Sequence, residues 1–350
     1  MNARRGMPYR RSSIALSLGF GLALAAGSAA AQGSLTVYCS YQIDWCTAMV
    51  NAFAKDTGIK VAMTQKPAGE TFAQIKAEAA NPKGDIWWTG SGDAHVQAAG
   101  ENLTQAYQSP RLADLHDWAR KQAEQTGYKT VGIYAGPLGY GYNADMLAKK
   151  NVPPPKCWSD LVKPEYKNEV QIANPNSSGT AYVAVATLVQ LMGEDEAFKY
   201  LKKMHANVNQ YTKSGAGPVK AVGRGETAVG VAFLHDAVAE KAAGFPVTPG
   251  TPCEGTGYEI GSMSIIKGAR NMENAKKFYE FALRPDVQSL AIKANALQIP
   301  SNTAAEIPPK APRPENVKLI NYDFAKYGSD DVRKRLLKRW DEEIFAAQRK

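Results

Sequence analysis

Apolar and polar positions along the chain change period several times, and each change marks an element. Leu35-Thr36-Val37-Tyr38 is a short β-rich run. Met49, Val50 and Phe53 recur at helical spacing within 45–55, and Thr57-Gly58 stops that helix. Ile59, Val61 and Met63 alternate as a strand, Phe72, Ile75 and Ala79 predict a helix over 70–80, and 85–88 is a third strand running into Thr89-Gly90-Ser91-Gly92. A second unit repeats the alternation. Its strand at 169–172 runs through Asn174–Thr180 into a helix reaching about residue 192. A helix over 195–206 follows, then strands at 209–212 and 227–232 around a short helix at 217–223. Further helices are predicted at 271–283, 285–295 and 329–347, with a Pro-rich connector at 308–314. Strand–helix alternation with Gly or Ser at each strand end predicts an α/β fold with parallel sheets and a crevice at their carboxyl edges. Two extended segments, VGIYAGPLGYGYN at 131–143 and the strand at 257–266, predict a pair of crossings that hinge two lobes. GPLGYG at 136–141 lacks the order and the following helix of a dinucleotide-binding turn.

The first 31 residues have a different pattern. Arg4, Arg5, Arg10 and Arg11 precede an apolar run at 14–26, which ends in Ser28-Ala29-Ala30-Ala31. This is the layout of a cleaved secretory signal, and the run is shorter than the ~20 residues a bilayer requires. Arg10-Arg11 leaves the export route open between the general and the twin-arginine pathways. An exported, periplasmic protein is expected. The signal also changes the charge picture. The chain of 350 residues carries 42 Lys+Arg against 33 Asp+Glu, a net +9, which by itself suggests an anionic polymer as partner. Cleavage removes four arginines and no acid, so 38 bases remain against 33 acids, a net +5 without a basic cluster. Nucleic acid is therefore not an expected partner. With 44% hydrophobic and 21% charged residues the chain is globular, and its length favours two domains.

Four cysteines remain: Cys39, Cys46, Cys157 and Cys253. An even count in an exported protein points to disulfides. The expected pairing is Cys39–Cys46, seven residues apart, and Cys157–Cys253, which closes a loop of about 95 residues. Neither spacing fits a zinc site.

Several positions offer ligand chemistry. Ser177, Ser178, Gly179 and Thr180 open a helix, where unpaired N–H groups and the positive dipole end suit a phosphate or carboxylate. Thr89, Gly90 and Ser91 after the third strand, Glu70 and Thr71 before the second helix, and Ser214 offer similar small donors. Ser40, Tyr41 and Gln42 follow the first strand, where ligand-facing residues are expected. His235-Asp236 ends an apolar strand, and Glu259, 23 residues later, lies inside an apolar crossing where a carboxylate requires a partner. Trp87-Trp88 and Tyr140-Tyr142 are candidates for an aromatic wall, although successive strand residues face opposite ways. His95, His116 and His205 read as surface residues.

The strings LTVYCSYQIDWC, GETFAQIKAEAANPKGDIWWTGSGD, ANPNSSGTAY, SGAGPVKAVGRGETAVGVAFLHDA and GTGYEIGSMSIIKGARN occur in this order over about 34–340. Together they resemble periplasmic substrate-binding proteins of ABC importers, in the ferric-ion-binding-protein-like branch that includes hexose-phosphate and aminoethylphosphonate binders. The resemblance implies a two-lobed periplasmic binding protein fold (type 2) that closes on its ligand and delivers it to a membrane permease. The lobes would be 32–135 plus 262–350, and 136–261, with the C-terminal helix not assignable to either. Hexose-phosphate binders of this branch carry a His-Asp pair and a Glu at matching spacing, which implies sugar-hydroxyl contacts for His235, Asp236 and Glu259. The expected ligand is thus a small anionic solute, a phosphorylated or phosphonate organic compound, bound by a monomer without cofactor or resident metal. Ferric iron is the competing ligand, but its binders use adjacent tyrosines and no Tyr-Tyr pair occurs here. A hydrolase of phosphorylated small molecules is the competing class. Its serines would lack the G-x-S-x-G elbow, so no enzymatic activity is expected.

Overall fold

β1 (Ser34–Cys39), β2 (Lys60–Gln65) and β3 (Ile86–Ser91) form where the β-rich runs predict them, and β1 pairs in parallel with both neighbours. The computed structural model describes residues 33–346, so the signal segment expected at 1–31 lies outside the described residues. The remaining strands are β4 (Thr104–Gln105), β5 (Val131–Tyr142), β6 (Val170–Ala173), β7 (Val208–Thr212), β8 (Val229–Phe233), β9 (Thr248–Gly250), β10 (Tyr258–Ile266) and β11 (Ile299–Pro300). Their order across the main path is β2-β1-β3-β10-β5-β8-β6-β7. β6 runs parallel to β7 and β8.

β5 and β10 are the crossings. They pair antiparallel from Met263–Val131 to Tyr258–Pro137. Beyond Pro137, β5 leaves β10 and pairs with β8 through Leu138–Tyr142. One long strand therefore serves two sheets, and β10 returns the chain beside it. Two hydrophobic cores result. The first surrounds β1, β3 and β10 with helix Ile43–Thr57 and helix Met272–Ala282. The second surrounds β6 and β8 with helix Gly179–Met192, ten of whose fourteen residues are buried.

Local signals account for the element limits. Helix Ile43–Thr57 buries Trp45, Cys46, Met49, Val50 and Phe53 along one stripe and ends at Gly58 with φ 71°, whose N–H returns to the Ala54 carbonyl. Both predicted disulfides form, Cys39–Cys46 and Cys157–Cys253. The C-terminal segment, which the sequence leaves unassigned, packs Tyr322, Tyr327, Leu336, Trp340 and Ile344 into the second core. From helix Asp330–Trp340 it also reaches the first lobe, where Arg333 Nε donates to Gln97 and Gln97 donates to Asp330. Among the described residues no helix is long and apolar enough to cross a membrane.

Three expectations are corrected. Trp87 and Trp88 do face opposite sides of β3, but both are fully buried, because this central strand is covered on both faces. Tyr140 is also core, its hydroxyl donating to the Pro155 carbonyl, so these residues form no aromatic wall. His95 is not a surface residue. Its ring stacks on Trp87 at 3.7 Å, and its nitrogens meet the Ser264 hydroxyl and the Thr89 carbonyl. Burial lowers its pKa to about 3, so it is neutral.

Candidate functional site

The strand ends converge on one cavity between the lobes, with a volume of about 60 Å³ and an opening to solvent. β1 delivers Ser40, Tyr41 and Gln42, β2 delivers Gln65, and β3 delivers Gly90 and Ser91. From the other side come Ser178, Gly179 and Thr180 after β6, Ser214 after β7, and Phe233 and Asp236 at the end of β8. The crossings add Tyr134 from β5 and Glu259 from β10.

Helices Ala68–Ala77, Gly92–Gly100, Gly179–Met192 and Leu234–Ala242 all begin at or beside this cavity. The lining contains no Lys or Arg. Positive potential here comes from N–H groups and helix dipoles, which suit an anion. Ser178 caps its helix by accepting from Ala181 N at 3.3 Å, while the buried Ser91 hydroxyl has no hydrogen-bond partner. The turn that presents Ser91 is conformationally costly. Thr89 has φ 70°, rare for a β-branched residue, and its hydroxyl accepts the Ser40 N–H at 3.0 Å.

The carboxyl end is different. Asp236 Oδ1 accepts from Gln42 Nε2 at 2.9 Å and from the Tyr41 hydroxyl at 3.4 Å. Burial raises the Asp236 pKa to about 6, with the Gln42 hydrogen bond and the Lys220 charge opposing the rise. Burial holds Glu259 well above the usual carboxylate range, reinforced by Asp236 and Asp93, so its neutral form is favoured. His235 lies behind the pair, 3.6 Å from Glu259 and 3.9 Å from Asp236, stacked on Phe233. Burial lowers its pKa to about 3, and neither ring nitrogen has a hydrogen-bond partner. Such an end can take hydroxyls or an ammonium group.

Ten of the predicted residues line the cavity: Ser40, Tyr41, Gly90, Ser91, Ser178, Gly179, Thr180, Ser214, Asp236 and Glu259. Five do not. Thr71 and Thr89 sit one layer behind, where Thr71 accepts from Ser40 Oγ at 3.0 Å and Ser40 Oγ accepts from the Trp87 indole at 2.9 Å. Ser177 turns its hydroxyl to the Asn174 and Lys213 carbonyls. Glu70 is off the lining because the helix starts at Ala68 rather than 70, which brings Pro67 and Ala68 to the rim instead. His235 is displaced because a helix begins at Leu234 and turns its ring inward. The sequence reading missed Gln65, Tyr134 and Phe233, together with the small rim residues Pro67, Ala68 and Ala216. Gln65 and Phe233 are strand-end residues that the carboxyl-edge rule could have found. Tyr134 had no local signal, since its place depends on its pairing with Gly261 of β10.

The lobes already touch. Gly69 N donates to the Ser177 carbonyl at 2.9 Å, and a Cβ on Gly69 would lie 2.2 Å from the Asn176 carbonyl oxygen. A Cβ on Gly179 would lie 2.0 Å from Ser91 Oγ. Glycine at both positions permits this close approach.

Comparison with known proteins places this geometry. Residues 81–327 match the family model described as bacterial extracellular solute-binding protein. An uncharacterized protein of Haemophilus influenzae is 46% identical over 347 residues, covering 98% of this chain and 100% of its own. The periplasmic binding protein AfuA of Actinobacillus pleuropneumoniae, solved with fructose-6-phosphate bound, aligns with a TM-score of 0.87 at 45% identity, covering 89% of this chain and 99% of its own. The ferric binding protein of Campylobacter jejuni shares the fold, with a TM-score of 0.72 at 21% identity over 88% of this chain and 98% of its own. The chain belongs to the bacterial extracellular solute-binding protein family.

Proposed function

We propose that this protein captures a small phosphorylated or phosphonate organic compound and delivers it, as a periplasmic monomer, to the membrane permease of an ABC importer. The observation that carries the ligand class is a cavity with two unlike ends. Helix starts and hydroxyls, without Lys or Arg, face Asp236 and the neutral-favouring Glu259. The first end would hold the phosphoryl or phosphonyl oxygens, and the second would take sugar hydroxyls or an amine. Fructose 6-phosphate, the ligand in the AfuA structure, is the natural first probe. In this reading 1–31 is the cleaved signal, 32–135 with 262–350 and 136–261 are the moving lobes, and β5 with β10 is the hinge.

A thermal-shift panel tests the ligand class on the chain lacking 1–31. Fructose 6-phosphate, 2-aminoethylphosphonate, inorganic phosphate and Fe(III) citrate are compared at equal concentration. At a hundredfold excess over Kd a ligand stabilises by about 2.7 kcal/mol, a readable shift. Stabilisation by a sugar phosphate or phosphonate is expected. Stabilisation by iron alone would overturn the reading.

A further inference from the structure

Within the segment Ser40–Gln42, Tyr41 and Gln42 reach from the first lobe to Asp236 of the second. The segment has no regular structure and joins β1 to helix Ile43–Thr57. Gln42 occupies the N-cap position of that helix, yet its side chain makes no capping hydrogen bond. It reaches across the cleft to Asp236 instead, beside the Tyr41 hydroxyl. A helix start without a side-chain cap frays, and fraying here would release both contacts. The Cys39–Cys46 bridge spans this stretch, from the last residue of β1 to the first turn of the helix, and both cysteines are fully buried. Neither bridge is part of the lining, but only Cys39–Cys46 flanks lining residues in the chain, and Cys253 of the other bridge is exposed.

We propose that the Cys39–Cys46 disulfide is a positioning element of the ligand site. It stands in for the missing cap and holds Gln42 and Tyr41 on Asp236, so lobe closure and ligand retention depend on it. This deepens the reading of the cleft as a solute site and rests on it only for the choice of probe.

The test compares C39A/C46A with C157A/C253A in the chain lacking 1–31. Fructose 6-phosphate affinity is measured by calorimetry and amide exchange by mass spectrometry, without ligand. C39A/C46A is expected to raise Kd at least tenfold and to speed exchange at 40–46. C157A/C253A is expected to keep Kd within about twofold and leave that exchange unchanged. A folded C39A/C46A with wild-type affinity and wild-type exchange would overturn the proposal. Should the unaltered chain not bind fructose 6-phosphate, the ligand reading fails, and exchange at 40–46 alone decides the role of the bridge. Should C39A/C46A not fold, the folded C157A/C253A chain is treated with a phosphine. The phosphine attacks one sulfur and breaks the S–S bond, and water then supplies the oxygen of the phosphine oxide and the two protons of the released thiols. Unchanged exchange at 40–46 after verified reduction then overturns the proposal, and faster exchange supports it.

Discussion

Asp236→Asn separates what the cleft contributes to binding from what it costs the fold. Asp236 is 4% exposed, and its pKa rises from 3.8 to about 6, largely through burial. At 1.36 kcal/mol per pKa step this is about 3 kcal/mol of preference for the neutral form. The folded-state pKa lies above the unfolded one, so the stability of the neutral carboxyl is fully present below about pH 4. It is lost as pH rises through about 6. Asparagine is neutral throughout and keeps an oxygen to accept from Gln42 and Tyr41. The variant is therefore more stable than the parent by up to about 3 kcal/mol at pH 7.5. Over some 300 residues, at roughly 2.1 cal/mol/K of unfolding entropy each, that is about 4–5 °C in Tm. Scanning calorimetry of both chains from pH 4 to 8 checks it. The Tm difference should grow from near zero at pH 4 to its full value by pH 7, while affinity for fructose 6-phosphate falls at least tenfold. A difference independent of pH, or a variant less stable at pH 7.5, would refute the burial argument.

Three further substitutions address the same cleft. Gly69→Ala places a methyl 2.2 Å from the Asn176 carbonyl oxygen across the lobe contact. Its Kd should rise more than a hundredfold, with small-angle scattering showing lobes that stay apart in saturating ligand. Ser91→Ala removes a buried hydroxyl that lacks a partner in the ligand-free chain. Stability should hold or rise by about 1 kcal/mol in denaturant titration, and Kd should increase roughly tenfold for a lost charge-assisted hydrogen bond. Glu259→Gln replaces a carboxyl whose neutral form is already favoured. Its Tm at pH 7.5 should stay within the equivalent of about 1 kcal/mol of the parent, and a gain of several kcal/mol would show that Glu259 is ionised in the free chain.

The α/β alternation was legible because it depends on short-range period, and the strand ends followed from it. Ser40, Ser91, Ser178 and Asp236 reach the cavity by that rule alone. Long-range covering was not legible. The segment Gly92–Gly100 reads as polar, yet seven of its nine residues are buried. Arg333 and Asp330, more than 230 positions away, seal it through Gln97. His95, on another face of the same helix, becomes a neutral core group through Trp87, Ser264 and Thr89, which are equally distant signals for a local reading. His235 failed for a different reason. The adjacency of His235 and Asp236 was visible, but a helix start at Leu234 separates successive side chains by about 100°, which sends one to the ligand space and one behind it.

Hydrogen-bond satisfaction then sorts the polar groups of the cleft into scaffold and ligand-facing sets. Ser40 Oγ accepts from Trp87, donates to Thr71, and Thr71 in turn donates to the Lys66 carbonyl, so this chain is complete without a ligand. Ser177 is likewise satisfied by two backbone carbonyls. Ser91 Oγ, by contrast, lines the cavity without a protein partner. The fold satisfies Thr71 and Ser177 within the protein and leaves the Ser91 hydroxyl facing the cavity. Because Ser91 and Asp236 line one cavity, Ser91→Ala with Asp236→Asn should weaken binding by less than the product of their separate effects.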